Sequence, residues 1–283
     1  MKEIKVALVY DFDKTLSTDD MQAFGFIQGL GMEVNEFWDE CGKFSRENGV
    51  ENILSYLYMM IKHSNLKNKP ITKEYLKECG KNVKYFQGVT EWFDRINEYG
   101  KQNGVTVEHY VVSSGLKEII EGTEIAKNFK QIYACSFVYE NDKPIWPALS
   151  LNYTNKTQFI YRINKGIFDV LDRRVNEEMS AIDKPVPFTN IIYIGDSETD
   201  IPSMRLVFTK GGTAIGLYQK GSKNENYLKD LLLRDRISYV ASADYTEQGE
   251  LDKIIKELIQ KIKYDNIASN LRLEQKENAK KGE

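Results

Sequence analysis

The chain has 283 residues, 41% hydrophobic and 12% aromatic, enough to bury one large core or two modest ones. Lys and Arg number 39 against 42 Asp and Glu, a formal charge of −3, so nothing electrostatic draws it to nucleic acid or an anionic membrane. No apolar run approaches the roughly 18 residues of a membrane span, and Cys41, Cys79 and Cys135 are few, odd in number and lack CxxC spacing, so neither zinc nor a disulfide framework is implied.

The three cysteines read as buried structural thiols. The first residues run straight into a strand without a leader pattern, so the expectation is a cytoplasmic protein. Residues 6–10, VALVY, have the apolar, β-branched character of a strand buried on both faces. Asp11 and Asp13 follow at once, with Thr15 behind them. In an open α/β sheet, ligands bind beyond the carboxyl ends of the strands. Across an extended Phe12 the two acids point the same way. Like charges that close repel, and a divalent cation relieves them.

Residues 17–87 carry mostly helical patterning. Ser17, Thr18 and Asp19 offer capping side chains for a helix over 21–30. Apolar spacing predicts further helices over 34–44, 52–62 and 73–83, the last begun by Pro70, Ile71 and Thr72. Tyr56, Tyr58, Met59 and Met60 form a stripe that is either core or the lining of a substrate pocket. From residue 88 strands alternate with helices, which argues a doubly wound, mainly parallel α/β sheet. A helix is expected over 91–99. A strand over 105–112 ends in Ser113, Ser114 and Gly115 before a helix over 116–121, a geometry suited to anions or to an ordinary cap.

A third strand spans 132–139, a turn falls at Asn141–Asp142, and 149–153 reads as the return strand of a hairpin. Thr154 and Asn155 cap a long helical pattern running through Ile167, Val170, Leu171 and Val175. Lys156 stands at its start, where the helix dipole disfavours a cation unless an anionic site faces it. Lys165, its competitor, lies about 13 Å further along a continuous helix at roughly 1.5 Å per residue. A strand over 191–194 ends in Gly195, Asp196, Ser197, Glu198, Thr199 and Asp200. Short strands over 213–217 and 238–240 and a helix over 251–262 follow, and the last residues read as a solvated tail.

The motifs DFDKTL, VVSSG, a helix-opening lysine and GDSETD, in this order and with a helical insert after the first, resemble the haloacid dehalogenase-like superfamily. Within it the chain looks most like phosphoserine phosphatase-type members, over residues 1–262. The resemblance implies a Rossmann-like core (1–16 and 88–263), an α-helical cap (17–87) and a polar C-terminal tail (264–283). It also implies a Mg²⁺-dependent phosphatase that hydrolyses a small phosphorylated metabolite through an aspartyl-phosphate.

By the same resemblance Asp11 is the nucleophile and Asp13 the general acid/base, a residue that dehalogenases and ion-pumping ATPases lack. Mg²⁺ is expected on Asp11, the Asp13 carbonyl and Asp196, with Asp200 beside the metal, orienting Lys156 or a bound water. Thr15, Ser113, Ser114, Gly115 and Lys156 are the expected phosphate-binding residues. Ser114 and Ser197–Glu198–Thr199 depart from the residues usual in phosphoserine phosphatases, and the segment before Lys156 carries Trp146 and two prolines. The competing expectations are a phosphotransferase or phosphomutase on the same scaffold, or a silent binding protein.

Overall fold

The computed structural model describes residues 3–67 and 71–281, so the expected helix start at Pro70 lies outside the described residues. β1 (Ile4–Tyr10) leads through the cap helices α1 (Phe26–Gly29), α2 (Val34–Asn48), α3 (Asn52–Leu66) and α4 (Lys73–Gly80). Then come α5 (Val89–Gln102), β2 (Val105–Leu116), α6 (Lys117–Glu121), β3 (Phe129–Glu140), β4 (Lys143–Leu149) and α7 (Thr157–Lys165). The chain closes with β5 (Ile191–Gly195), α8 (Ile201–Thr209), β6 (Thr213–Tyr218), α9 (Asn224–Leu233), β7 (Tyr239–Ser242) and α10 (Glu250–Lys281).

The sheet order is β4-β3-β2-β1-β5-β6-β7, parallel throughout except for β4, which returns antiparallel to β3. β1 lies in the middle. The chain builds outward through β2 and β3, then returns to the other side of β1 with β5, so the order reverses between β1 and β5. That reversal opens a crevice at the carboxyl ends of the central strands, where ligands bind in such sheets. Residues Val6–Tyr10 are fully buried, as their apolar run requires.

The chain leaves and re-enters the core through one short antiparallel ribbon. Thr18 N–H donates to the Lys84 carbonyl at 2.9 Å and Phe86 N–H to that of Leu16 at 3.1 Å. The cap is anchored by α4 crossing α6. A Cβ on Gly80 would lie 2.2 Å from the Ile119 carbonyl, and one on Gly122 would lie 2.0 Å from that of Lys77, so only glycine permits the approach.

Several local expectations are corrected. Residues 21–30 form a 3₁₀ turn, Met21–Phe24, and the single turn of α1, broken at Gly25 where Cys79 of α4 presses in. Ser17 bonds the carbonyls of Phe12 and Asp19 instead of capping a helix. The hairpin returns over Lys143–Leu149, across Asn141 and Asp142 at φ 47 and 65, a two-residue turn that suits the sheet twist. α7 stops at Gly166 (φ 67) and does not reach Val175. Arg162 donates to the carbonyls of Asp169, Val170 and Asp172, and Lys165 to those of Val175 and Glu177, so long-range side-chain bonds hold that segment non-helical. The solvated residues at the C-terminal end continue α10 as an exposed helix, free of Gly and Pro up to Lys281.

The three cysteines are free and buried. Among the described residues no helix is long and apolar enough to cross a membrane.

A buried polar chain ties α5 to β1 and β2. Trp92 Nε1–H donates to Tyr10 Oη at 2.8 Å, Tyr10 meets His109 Nδ1 at 3.0 Å, and His109 Nε2 meets Asn97 Oδ1 at 3.0 Å. Every partner is satisfied by a neutral imidazole protonated on Nε2. Burial pushes the His109 pKa down to about 3. In the unfolded chain it returns to about 6.5, so the unfolded state binds the extra proton and stability falls as pH drops from 6.5 toward 3. We expect His109 to account for about 2 kcal/mol of stability lost between pH 7 and pH 5. Denaturant titrations should show that loss disappearing in His109→Gln; equal pH slopes in both proteins would contradict it.

Candidate active site

Four segments converge at the crevice. Asp11 follows β1, Ser113 lies in the bulged end of β2, Lys156 ends a 3₁₀ turn (Tyr153–Lys156) before α7, and Asp196 follows β5. Lys156 is completely buried. Its Nζ lies 3.2 Å from Asp11 Oδ1, 2.9 Å from Asp200 Oδ1 and 3.4 Å from Thr199 Oγ1. Burial disfavours the charged lysine, but Asp11 and Asp200 outweigh it and raise its pKa. Lys165 sits at the far end of α7 on backbone carbonyls. Lys156, not Lys165, meets the acids.

The turn holding Lys156 is set between Asn152 and Asn155, with Asn152 N–H donating to Asn155 Oδ1 at 2.6 Å and Asn155 N–H donating to the Asn152 carbonyl at 3.0 Å. Asn152 also donates to Glu51, the N-cap of α3, which joins the cap to this turn.

Carboxylate oxygens of Asp11, Asp196 and Asp200 lie within 4.8 Å of one another. Asp200 Oδ1 accepts from Lys156 and from Tyr193 Oη at 2.8 Å, while Oδ2 accepts from Ser197 N and Oγ at 3.2 and 3.1 Å. Both oxygens are thus taken by protein donors. Gly195 makes this possible, because a Cβ there would lie 2.7 Å from the Asp200 carboxyl. The Asp196 carboxylate takes no hydrogen bond among the described residues, while Asn224 holds its backbone carbonyl. Burial first, then the charges of Asp11 and Asp200, push its pKa well above the usual carboxylate range. Asp11 is pushed up to about 6 by burial and Asp200, against the pull of Lys156. Crowded acids with an oxygen-only donor set and an open Asp196 fit a hard divalent cation such as Mg²⁺.

Asp13 Oδ1 accepts the Met21 amide at 2.8 Å. Burial, then Asp20 and Asp11, raise its pKa well above the ordinary value. The missing side chain of Gly115 leaves room for Asp13 Oδ2 and Met21, since a Cβ would lie 2.9 Å from the one and 2.1 Å from Met21 Cε. Gly115 gives its amide to Ser113 Oγ at 3.0 Å, which leaves the serine hydrogen to donate elsewhere. The hydroxyls of Thr15 and Ser114 are buried without partners among the described residues. α6, with only five residues, begins beyond these serines, so they belong to the strand end and not to a helix cap.

Of the aromatic and methionine stripe, Met59 and Met60 are core and Tyr58 stacks on Phe44 at 4.7 Å. Tyr56 alone reaches the site, donating to the Ser114 carbonyl at 2.7 Å. It lines a cavity of about 520 Å³ with Asp13, Ser114, Gln22, Trp38 and Arg46. Those last three, and Tyr193 and Met21, were not singled out from the sequence; Gly42 and Arg46, one helical turn apart, were the signal available.

Residues 8–205 match the haloacid dehalogenase-like hydrolase family, and the chain belongs to it. It is 27% identical to an uncharacterized protein of Borreliella burgdorferi, over 91% of this chain and 98% of that one. A HAD family hydrolase from Salmonella enterica subsp. enterica serovar Typhi superposes with a TM-score of 0.54 at 14% identity, covering 88% of this chain and 69% of the other. A substrate-bound phosphoserine phosphatase gives 0.53 at 16% identity, over 90% and 99% of the two chains. At such identities the structural likeness speaks to the fold.

The crowding has opposite consequences with and without a cation. Asp196→Asn should raise the melting temperature of the metal-free protein by relieving repulsion. The wild type at saturating Mg²⁺ should gain about 5 °C, and the variant little of it. Thermal melts with and without Mg²⁺ check both signs; a wild type indifferent to Mg²⁺ would contradict the metal site.

Proposed function

We propose that this protein is a Mg²⁺-dependent phosphomonoesterase of the capped, phosphoserine phosphatase-like kind, acting on a small phosphorylated metabolite through an aspartyl-phosphate. The observation that carries this reading is the buried lysine joining Asp11 to Asp200 beside an open Asp196, with Asp13 two residues away and fixed by the Met21 amide.

Asp11 is ionised at neutral pH, since its pKa of about 6 lies below it. Its carboxylate attacks phosphorus, the P–O bond to the leaving group breaks, and Lys156 stays close to offset the charge. Burial first, then Asp20 and Asp11, raise the Asp13 pKa, which favours its protonated form. With Oδ1 bound to an amide, the proton resides on Oδ2 and passes to the departing alkoxide. The same carboxylate then takes a proton from the water that attacks phosphorus and releases Asp11. Ser113, Thr15 and Ser114 supply hydroxyl donors for the phosphoryl oxygens. Asp11, Asp196 and the Asp13 carbonyl would hold Mg²⁺, which when bound supplies charge neutralisation. Asp200 positions Lys156. The cap over the crevice favours a small molecule over a macromolecule.

Phosphate release from a panel of phosphorylated metabolites, with and without Mg²⁺, tests this. Release should require Mg²⁺, vanish in Asp11→Asn, and fall about 100-fold or more in Asp13→Asn. Undiminished turnover in Asp11→Asn would refute the mechanism, and label transferred only to an added acceptor would point to a phosphotransferase.

A further inference from the structure

We propose that Tyr193 is a positioning residue for Lys156: by sharing an oxygen of Asp200, its hydroxyl stops the lysine from settling wholly on Asp200 and keeps it on Asp11. This rests on the phosphatase reading, in which Lys156 stays beside the nucleophile.

The sheet gives no packing reason for a hydroxyl at this place. β5 runs between β1 and β6, and its neighbouring side chains, Ile191, Ile192 and Ile194, are fully buried aliphatics. Tyr193 is equally buried, and a buried hydroxyl costs free energy unless it is hydrogen-bonded. Its Oη donates to Asp200 Oδ1 at 2.8 Å. Residues two apart on a strand share a face, so Tyr193 points the same way as Gly195. The Asp200 carboxyl sits in the space that Gly195 leaves. Tyr193 therefore meets Asp200 from the sheet, and Lys156 meets it from the turn before α7.

The lysine is the mobile member of this group. Strand pairing sets Tyr193 beside Val9, and the Asp11 amide donates to the Ile194 carbonyl at 2.9 Å, so one ladder holds both backbones. Asp200 is pinned through Oδ2 by Ser197 N and Oγ at 3.2 and 3.1 Å. The Lys156 ammonium ends a flexible four-carbon stem and goes where its acceptors draw it. It already lies nearer Asp200, at 2.9 Å, than Asp11, at 3.2 Å. Lys156 and Tyr193 use the same oxygen, Oδ1, so the phenol offsets negative charge that would otherwise draw the lysine further over. Thr199 Oγ1, at 3.4 Å, is a neutral and more distant acceptor that pulls weakly.

Tyr193→Phe removes the hydroxyl and keeps the ring. We expect its crystal structure to show the Lys156–Asp11 distance lengthened by about 0.5 Å or more. For the ester hydrolysed best, kcat should fall roughly tenfold or more while KM stays within about twofold. Tyr133→Phe is the control. Tyr133 is also buried and donates to the Phe168 carbonyl at 2.9 Å, but it lies on β3, three strands from β5. Both variants should lose melting temperature, and Tyr193→Phe alone should lose kcat. In an Asp200→Asn background, Tyr193→Phe should cost less than about twofold, because the phenol acts through Asp200. An unmoved Lys156, equal losses of kcat in the two phenylalanine variants, or an undiminished Tyr193→Phe effect in the Asp200→Asn background would overturn the proposal. A wild type that hydrolyses no ester counts against the phosphatase reading alone, and the position of Lys156 in Tyr193→Phe still decides this one.

Discussion

Among the described residues, Lys156 is the only cation within hydrogen-bonding distance of Asp11 and Asp200, and it is completely buried between them. Burying an ion pair costs several kcal/mol per ion unless geometry and further hydrogen bonds repay it. The repayment is visible in the surroundings. Tyr193 and Ser197 complete the coordination of Asp200, Gly195 gives it space, and the Asn152–Asn155 pair sets the turn from which the lysine reaches in. A pair assembled at such cost for stability alone would be poorly chosen, because an apolar replacement serves as well. Its use is to hold Asp11 in one place and to leave Asp196 as the unmatched charge.

That unmatched charge explains why the site sits where it does. Parallel strands end with their last residues side by side, so short loops after β1, β2 and β5 bring side chains from distant parts of the chain within a few ångströms. Only at the reversal of strand order does the crevice open for a ligand to enter. Asp11 and Asp196 flank that opening from adjacent strands, whose pairing runs from Ala7 with Ile191 to Tyr10 with Ile194.

What was legible in the sequence follows from the same logic. Strand ends are fixed by the sheet, so Asp11, Asp13, Ser113 and Asp196 were found from an apolar run stopping at polar residues. Lys156 needed only the start of α7. The end of α7 was hidden, because Arg162 and Lys165 override an apolar spacing that favours helix, leaving Leu171 82% exposed. Met21 was hidden for another reason: it acts through its backbone amide, which every residue type but proline possesses. Gln22, Trp38 and Arg46 come from cap segments whose placement over the sheet depends on the Gly80–Gly122 crossing, a tertiary contact without local periodicity.

The cap and the chemistry are nevertheless not separate. Met21 donates its amide to Asp13, and its sulfur accepts the Leu116 amide at 3.2 Å, so one residue fastens the acid to the end of β2. Gln22, its neighbour, lines the cavity beside Asp13. A ligand that pulled on Gln22 would act on the backbone that holds Asp13. Binding energy gathered at the remote end of a substrate can be expressed at the reacting bond only through such a link. The path here is one peptide unit long, from the Gln22 side chain to the Met21 amide to Asp13 Oδ1.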